Sequence, residues 1–317
     1  MSGGPDLILL GQVTIDHVVP ATPGPWRAQM GGNAIYSAAG ARLWLDPARI
    51  GVTLRRGTGF DFDVEAMLAR AGIDHVHCRD VPLPHLTEWI VYETDGSRRC
   101  LPRNTGLTHI GSEGDPGDAD TYLDYLLNFS PEASDIPAAW LPAKAVHLNP
   151  QVRDRSPCSL AALRAQSGYI SVDPSPYVAK GLDAAGLAAR LPGADAVLPS
   201  EMESAHIACG DWHGAALALT DAGFGEAIIK RGSQSVVLAS DGVVTEIPVP
   251  PVQIADVTGA GDSFGGAYCA CRMMGMPPAE AVRRAIVAAG MVIGCSGSDA
   301  ALALDPAEAA RRLAEMS

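Results

Sequence analysis

The stretch IADVTGAGDSFGGAY, residues 254–268, places a single carboxylate, that of Asp262, inside a glycine-rich turn. Four glycines surround the acid: Gly259, Gly261, Gly265 and Gly266. The apolar, alanine-rich residues that follow predict a helix from about Ala260 to Met274. The turn therefore lies at a helix N-terminus, where unpaired N–H groups and the helix dipole favour negative charge.

Two interpretations of Asp262 follow from this position. The carboxylate can simply cap the helix or balance its dipole, which stabilises a helix by ~1 kcal/mol. It can instead be a general base beside an anion hole, taking a proton from a substrate hydroxyl while backbone N–H groups stabilise a transferring phosphoryl group. The spacing of the motif leaves both interpretations open.

The composition narrows the class of protein. The 317 residues carry a formal net charge of −13, which disfavours a nucleic-acid partner because phosphate backbones are bound by basic surfaces. The longest apolar stretch, AIVAAGMVIG from Ala285, is about half of the ~20 residues that a membrane span needs, and no basic leader precedes an apolar segment. Seven scattered cysteines are typical of a reduced, cytoplasmic protein.

Short apolar runs alternate with helical patterns along most of the chain. This alternation predicts one α/β domain over residues 1–317, a doubly wound, mostly parallel sheet flanked by helices. Strands are predicted at 6–11, 49–57, 145–150, 169–175 and 195–200, with further β-rich segments from 226 to 249. Helices are predicted at 34–45, 61–72, 157–167, 182–191, 201–222, 260–274 and 278–294, and again from Pro306 after an N-cap at Asp305.

Two segments break this alternation. Residues 12–31 are extended and rich in Pro and Gly, and residues 84–103 alternate about a DG turn, which is a hairpin signal. Together they predict a small sheet apart from the main one. It is either a surface hairpin or a lid that excludes water from a substrate cleft. Arg98, Arg99 and Arg103 follow the turn and are either solvated or reach a phosphate or acidic sugar.

Two other features of the sequence say less about function. The sequence HVHC at 75–78 reads as a polar strand face rather than as a metal site, since no second ligand cluster accompanies it. Residues 111–140 form an acidic, loop-rich insertion to which the sequence assigns no role.

The stretch DVTGAGDSF resembles the C-terminal signature of the PfkB/ribokinase family of carbohydrate kinases, and the rest of the chain fits in order. LGQVTIDHV, MGGNAIYSAAGARL, GTGFDFD, ISVDPSPY and IIKRGSQSV are similar to successive family motifs. The resemblance implies a ribokinase-like fold whose small sheet is a lid. It also implies an ATP-dependent phosphotransferase acting on a hydroxyl, typically an exocyclic CH2OH, of a sugar or nucleoside.

The resemblance also implies roles for particular residues. Asp262 would be the base, and the N–H groups of Gly259, Ala260 and Gly261 the anion hole. The substrate would be held by Asp16, Gly31, Gly32 and Asn33. The nucleotide would lie against Lys230, Gly232, Ser235 and Ser200. Glu203 would hold Mg2+ through water, and Asp256, Thr258 and Gly297 fall where some members bind a monovalent cation such as K+. The family's lid often pairs between subunits, which implies a homodimer.

Two departures from the family pattern concern the substrate and the metal. Tyr36 stands where the glycine signature usually has Asn, and Ser200 replaces the Asn of the N-x-x-E motif while Glu203 is kept. These changes keep open two alternatives on the same scaffold. One is a non-catalytic sensor of a sugar or nucleotide, and the other is an ATP-dependent lyase.

Overall fold

The computed structural model of the chain describes residues 3–19, 27–92, 98–104, 126–150 and 158–316. Within these ranges the strands are β1 (Leu7–Leu10), β2 (Thr14–Val19), β3 (Arg27–Gly31), β4 (Ile50–Thr58), β5 (His75–Pro84), β6 (Leu86–Tyr92), β7 (Arg98–Asn104), β8 (Ala143–Leu148), β9 (Ser167–Val172), β10 (Ala196–Val197), β11 (Glu226–Lys230), β12 (Ser235–Ser240) and β13 (Val243–Pro248). The helices are α1 (Asn33–Arg42), α2 (Val64–Arg70), α3 (Cys158–Arg164), α4 (Pro176–Ala179), α5 (Ala184–Arg190), α6 (Glu201–Ala208), α7 (Trp212–Asp221), α8 (Ala260–Met273), α9 (Pro278–Val292), α10 (Ser298–Leu302) and α11 (Pro306–Glu315).

The main sheet has the strand order β13-β12-β11-β10-β9-β8-β1-β4-β5. The pairs from β5 through to β11 are parallel, and only β12 and β13, at one edge, run antiparallel. The predicted doubly wound, mostly parallel sheet is confirmed. The antiparallel edge arises because β11, β12 and β13 are joined by short turns, which cannot make a parallel crossover.

Helices cover both faces of this sheet because side chains alternate along each strand. Ile8 and Leu10 of β1 pack on the face that carries α3, α5 and α7. Leu7 and Leu9 pack on the opposite face, against α1 and α8. Continuous apolar strands of this kind are typical of a parallel sheet that is buried on both faces.

Most predicted helices are found close to their predicted bounds, but the prediction of one helix over 201–222 is wrong. The chain forms α6 and α7 instead. Cys209 and Gly210 adopt left-handed backbone angles, with φ of 43° and 91°, which no α-helix can continue. Asp211 then caps α7, its Oδ1 accepting the Gly214 N–H at 2.9 Å.

The second, small sheet has the strand order β3-β2-β6-β7. It is formed by the two predicted segments, with β2 parallel to β6 and the outer pairs antiparallel. His85, fully buried, ties the small sheet to the main one. Its Nδ1 accepts the Gly57 N–H of β4 at 2.8 Å, and its Nε2 donates to the Val13 carbonyl, just before β2, at 3.1 Å. The two chain entries into the small sheet are thereby fixed at one point.

Two further predictions concern residues 75–78 and 111–140. His75 and His77 lie on β5 and contact the ring of Trp140 edge-on. Of the stretch 111–140, residues 111–125 lie outside the described residues. Its described end carries short 3-10 turns, and the buried Asp135 there pairs with Arg55 of β4 at 2.6 Å. Within the described ranges, every helix is too short or too polar to cross a membrane.

Candidate active site

The carboxyl ends of the parallel strands bring together two predicted nucleotide residues, Ser200 and Lys230, and a further acid, Asp173. Asp173 follows β9, Ser200 follows β10 and Lys230 ends β11. Backbone hydrogen bonds hold these ends in place. The Asp173 N–H donates to the Leu148 carbonyl and the Lys230 N–H to the Pro199 carbonyl, both at 2.9 Å.

The glycine-rich turn begins from a fixed loop. The N–H groups of Ala255 and Asp256 both donate to the carbonyl of Ile293, at 2.8 and 3.1 Å. The Asp256 side chain accepts the Thr258 N–H at 2.8 Å. Gly259 then caps α8 with φ 78° and ψ 5°, a left-handed conformation that favours glycine. The Ala260 N–H donates back to the Val257 carbonyl of this loop at 3.4 Å, so the start of α8 is fixed to it.

Close contact with α1 also requires glycine in this motif. A Cβ at Gly259 would lie 2.2 Å from Cγ of the Tyr36 ring, and one at Gly266 would lie 2.1 Å from the backbone oxygen of Ser37. The two helices cross with their first turns adjacent. The N-terminus of α8 is positioned by this contact as well as by its loop.

Asp262 lies in the first turn of α8 and is half-buried. Its neighbour Gly261 faces the nucleotide residues, because a Cβ there would be 3.4 Å from Lys230 Nζ and 3.9 Å from Asp173 Oδ2. The negative charge of Asp262 helps to raise the pKa of both Asp173 and Tyr36. Asp262 is therefore close both to the Lys230–Asp173 pair and to Tyr36 of α1.

Lys230 and Asp173 form a buried ion pair beside Gly261, with Nζ donating to Oδ2. Burial raises the pKa of the Asp173 carboxyl from 3.8 to about 7. Lys230 opposes this shift, and the carboxylates of Asp262 and Glu203 reinforce it. Three acids and one ammonium thus share this part of the site, which is short of positive charge.

Ser200 and Glu203 make a capping box at the start of α6. The Ser200 N–H donates to Glu203 Oε2 at 2.7 Å, and the Ser200 hydroxyl donates to the same oxygen. Ser200 is also bridged to Lys230 across the strand ends. Among the described residues, no group of three or more His, Cys, Asp or Glu side chains is arranged to hold a metal ion by itself.

The predicted substrate acid lies in the small sheet. Asp16, on β2 of the small sheet, is 2% exposed, and its Oδ1 accepts the Thr14 hydroxyl at 2.6 Å. Gly31 lies against it, because a Cβ at Gly31 would fall 1.7 Å from Asp16 Oδ2. Gly32, with φ 105°, then turns the chain into α1. The structure brings these three predicted residues together.

Asn33 is next to them, but its amide is engaged by the backbone. Its Oδ1 accepts the Gln12 N–H and its Nδ2 donates to the Pro150 carbonyl, both at 2.7 Å. These bonds anchor the start of α1 to the loops that follow β1 and β8.

Gly232 and Ser235, the other two predicted nucleotide residues, belong to the hairpin of β11 and β12 and differ in exposure. Gly232 is exposed in the turn between β11 and β12, with φ 56°. Ser235 is buried, and its hydroxyl donates to Glu246 Oε1 at 2.5 Å and accepts from Arg231 Nη1 at 2.8 Å. Its side chain holds the hairpin together.

The third predicted cation residue, Gly297, lies at the small sheet. It caps α10 with φ 85°, and a Cβ there would be 3.1 Å from Gln29 Oε1 of β3. The adjacent Ser298 hydroxyl donates to the Met30 carbonyl at 2.5 Å. The loop before α10 is thereby fixed to the same strand that faces Asp16.

Sequence reasoning assigned no site role to Asp173 or Gln29 and treated Tyr36 only as a departure. The Tyr36 hydroxyl and the Gln29 amide nitrogen are buried without a hydrogen-bond partner among the described residues. Asp173 had one sequence signal, its place directly after a buried strand. The side chains of Arg98, Arg99 and Arg103 lie outside the described residues.

Comparison with known proteins finds similarity to a family of kinases. The family model for pfkB family carbohydrate kinases matches residues 17–304. A cytidine kinase of Thermococcus kodakarensis is 26% identical over 286 residues, which span 88% of this chain and 92% of that protein.

Solved structures resemble the chain over nearly its whole length. A fructokinase with bound ATP from Xylella fastidiosa superposes with a TM-score of 0.71 at 18% identity, covering 98% of both chains. An Arabidopsis thaliana ribokinase complexed with ribose and ATP gives a TM-score of 0.65 at 18% identity, covering 98% of this chain and 99% of that one. At these identities the likeness shows a shared ribokinase-like fold.

Proposed function

Because the chain belongs to the pfkB family of carbohydrate kinases, we propose that it transfers the γ-phosphate of ATP to a hydroxyl group of a sugar or nucleoside. One observation carries the proposal. The N-terminal turn of α8 carries Asp262 directly after Gly261, which faces a buried lysine–carboxylate pair, and three residues after Gly259, which lies against the Tyr36 ring of α1. A phosphate donor and a hydroxyl acceptor need such a two-sided site.

Asp262 is the proposed general base. It is half-buried in the first turn of α8, so the carboxylate is partly accessible. A carboxylate there accepts the proton of the acceptor hydroxyl as the oxygen attacks phosphorus. Asp16, held by Thr14 against Gly31, would orient the acceptor through another hydroxyl.

The proposed anion hole is the backbone of Gly259, Ala260 and Gly261. These N–H groups lie at a helix N-terminus, which favours negative charge on the transferring group. The Ala260 N–H makes a long bond of 3.4 Å to the Val257 carbonyl, which the transferring group would replace. Gly261 keeps this space open, since its Cα faces Lys230 without a side chain in between.

Lys230 is the proposed cation for the nucleotide phosphates, with Ser200 beside it and Gly232 in the open turn that follows. The described side chains fit Mg2+ only as a partner of the nucleotide. Mg2+ usually keeps several waters and binds through one or two carboxylates plus phosphate oxygens. Glu203 would hold it through water, and the ion would neutralise phosphate charge.

The small sheet is the proposed lid, because Asp16 lies on it and His85 fixes both of its chain entries. The predicted K+ site at Asp256, Thr258 and Gly297 stays a proposal. It is supported by the rigid loop that Asp256 forms before the anion hole.

A panel assay tests this function. Mg-ATP is supplied with pentoses, hexoses, keto-deoxy sugar acids, inositols and nucleosides, and phosphorylated acceptor is identified by mass spectrometry. We expect ADP and phosphorylated acceptor in equal amounts for at least one compound. Tight acceptor binding without turnover for every compound would favour the sensor. A separate reaction supplies a hydrated cofactor in place of the acceptor, and ADP formed together with its dehydration would favour the lyase.

A further inference from the structure

The side chain of Arg231 lies where the turn after β11 meets the starts of α6 and α7. The side chain is only 15% exposed. Its Nε donates to Glu201 Oε1, in the first turn of α6, at 3.3 Å. The guanidinium carbon lies 5.8 Å from the centroid of the Trp212 ring, at the first residue of α7. Arg231 therefore contacts both helices at the ends that face the hairpin.

The same guanidinium also fixes the turn between β11 and β12. Its Nη2 donates to Gln234 Oε1 at 2.6 Å, and its Nη1 donates to the Ser235 hydroxyl at 2.8 Å and to Glu246 Oε1 of β13 at 3.0 Å. The Arg231 N–H closes the turn by donating to the Ser235 carbonyl at 3.2 Å. A planar guanidinium can hold several partners in one fixed arrangement, whereas a lysine ammonium is a point charge on a flexible stem.

The two elements that Arg231 joins carry residues of the proposed nucleotide site. α6 begins directly after Ser200, and the hairpin turn follows directly after Lys230. Their backbones meet where the Lys230 N–H donates to the Pro199 carbonyl at 2.9 Å. The contact of Arg231 with Glu201 lies one residue further along each segment. It therefore fixes the direction in which α6 and the hairpin turn leave the strand ends.

We propose that Arg231 is a positioning residue for Mg-ATP, acting through its bond to Glu201, which holds the start of α6 against the β11–β12 turn. This inference rests on the proposed function and extends it to a residue that does not touch the nucleotide. A preorganised site binds more tightly because less ordering is needed on binding. Removal of either partner of the pair therefore weakens nucleotide binding.

A purely electrostatic role makes the opposite prediction for Glu201. If Arg231 only supplied positive charge for the phosphates, the Glu201 carboxylate would repel them, and its neutralisation would strengthen binding. If the pair holds the site in shape, neutralisation of Glu201 weakens binding. The sign of the change at Glu201 therefore separates the two roles.

The test measures the Kd of Mg-ATP by calorimetry in wild type and in variants of both residues. Glu201→Gln keeps the size of the side chain and leaves the bonds of Arg231 within the hairpin in place. It should raise the Kd about 3-fold, the effect of a partly exposed ion pair. Arg231→Gln removes the whole set of contacts and should raise the Kd about 10-fold. Arg231→Lys should recover part of that loss. At saturating Mg-ATP, kcat and the KM for the acceptor should stay at wild-type values.

Arg164→Gln is the matched control for loss of stability. Arg164 likewise binds a carboxylate, that of Asp195 at 2.6 Å, and two backbone carbonyls, but it does so near the starts of β9 and β10. Its loss should lower the unfolding temperature and leave the Kd of Mg-ATP unchanged. Should Arg231→Gln fail to fold, Glu201→Gln, at a side chain that is 39% exposed, still decides the sign.

An unchanged or lower Kd in Glu201→Gln overturns this inference, even if wild type is an active kinase. An equal rise in Kd in Arg164→Gln also overturns it, because general loss of stability would then explain the effect. Weaker Mg-ATP binding in Glu201→Gln and Arg231→Gln, without phosphorylation of any acceptor by wild type, supports the inference and contradicts the proposed function. Failure of wild type to bind Mg-ATP overturns both.

Discussion

Asp173 is a single buried acid that we expect to influence nucleotide binding at the proposed site. Its carboxyl, with its pKa raised to about 7, shares the Lys230 ammonium with whatever anion binds beside Gly261. A phosphate group that approaches Lys230 meets less repulsion when Asp173 is protonated. Nucleotide binding and proton uptake at Asp173 are therefore linked.

This linkage gives a prediction for nucleotide affinity. Between pH 8 and pH 6 the dissociation constant of Mg-ATP should fall as protons are added, because the protonated carboxyl releases Lys230 to the phosphates. In Asp173→Asn the carboxylate is absent, so the slope of log Kd against pH should flatten over this range. Equilibrium titration of both proteins measures the slopes, and identical slopes would exclude the linkage. Titration of the nucleotide itself contributes equally to both proteins.

Tyr36, Gln29 and Asp173 are residues whose surroundings could not be predicted from the sequence. The DVTGAGDSF motif located Asp262 and its anion hole because the motif is local. The other three residues lie on α1, on β3 and directly after β9, and nothing in their own sequence neighbourhood states which side chains they will face. The amide of Asn33 was predicted to hold substrate, and its two backbone bonds are likewise a tertiary feature.

Among the elements, α8 carries two kinds of glycine with different purposes. Gly266 permits the close crossing of α1, whereas Gly261 borders Lys230 in the site. Both lie in one helix and both accept helical backbone angles. A methyl group added at each position therefore separates packing from catalysis.

We expect opposite results from Gly266→Ala and Gly261→Ala. At Gly266 the new methyl would lie 2.1 Å from the backbone oxygen of Ser37, which cannot rotate away, so the variant should lose at least about 3 kcal/mol of unfolding free energy. At Gly261 the methyl has room, at 3.4 Å from Lys230 Nζ. Gly261→Ala should be as stable as wild type or up to about 1 kcal/mol more stable, yet lose most of its kcat.

Denaturant unfolding and steady-state kinetics on both variants test this separation. A Gly261→Ala protein with wild-type kcat would show that the space beside Lys230 is not used by the transferring group. A Gly266→Ala protein of wild-type stability would show that α1 and α8 can move apart at little cost.

The bounds of most elements were predictable because caps and glycines are local signals. Asp305 caps α11, as the sequence predicts, and Asp63 likewise caps α2. The division of residues 201–222 into two helices was missed because Cys209 is a non-glycine residue in a left-handed conformation. No propensity rule places such a residue inside an otherwise helical pattern.

For the whole molecule, the dependence of stability on pH arises from buried groups whose pKa values are shifted. His85 accepts the Gly57 N–H, and burial lowers the pKa of His85 from 6.5 to about 4. His147, on β8 beneath Gly265, is lowered to about 3, also mainly by burial. Both imidazoles stay neutral when folded. Unfolding therefore takes up protons below pH 6.5.

The sign for His85 follows from its depressed pKa. The contribution of neutral His85 to the free energy of unfolding is fully present above pH 6.5 and is lost as pH falls towards 4. The loss is about 2 kcal/mol between pH 7 and pH 5. Asp173 acts with the opposite sign, since its raised pKa favours the folded state as pH falls from 7 to 4. The measured change of unfolding free energy with pH contains both effects. Only a comparison of that change between variants isolates the contribution of His85.

Urea unfolding at pH 7 and pH 5 makes this comparison. His85→Gln should lose about 2 kcal/mol less than wild type on acidification, because no imidazole is left to protonate. His206→Gln, a change at an exposed histidine of α6, serves as the control and should follow wild type. Equal acid sensitivity of His85→Gln and wild type would contradict the assigned state of His85.

The homodimer through the small sheet stays a prediction from the resemblance.

The central claim is that Asp262 removes the proton of the acceptor hydroxyl during phosphoryl transfer. The most direct test is kcat of Asp262→Asn with the best acceptor of the panel, measured beside the Kd of Mg-ATP and the unfolding temperature. Asparagine has nearly the same shape but accepts no proton at this position. We predict a fall in kcat of about 10^2- to 10^4-fold with nucleotide affinity and unfolding temperature unchanged. A variant that keeps wild-type kcat would contradict the claim.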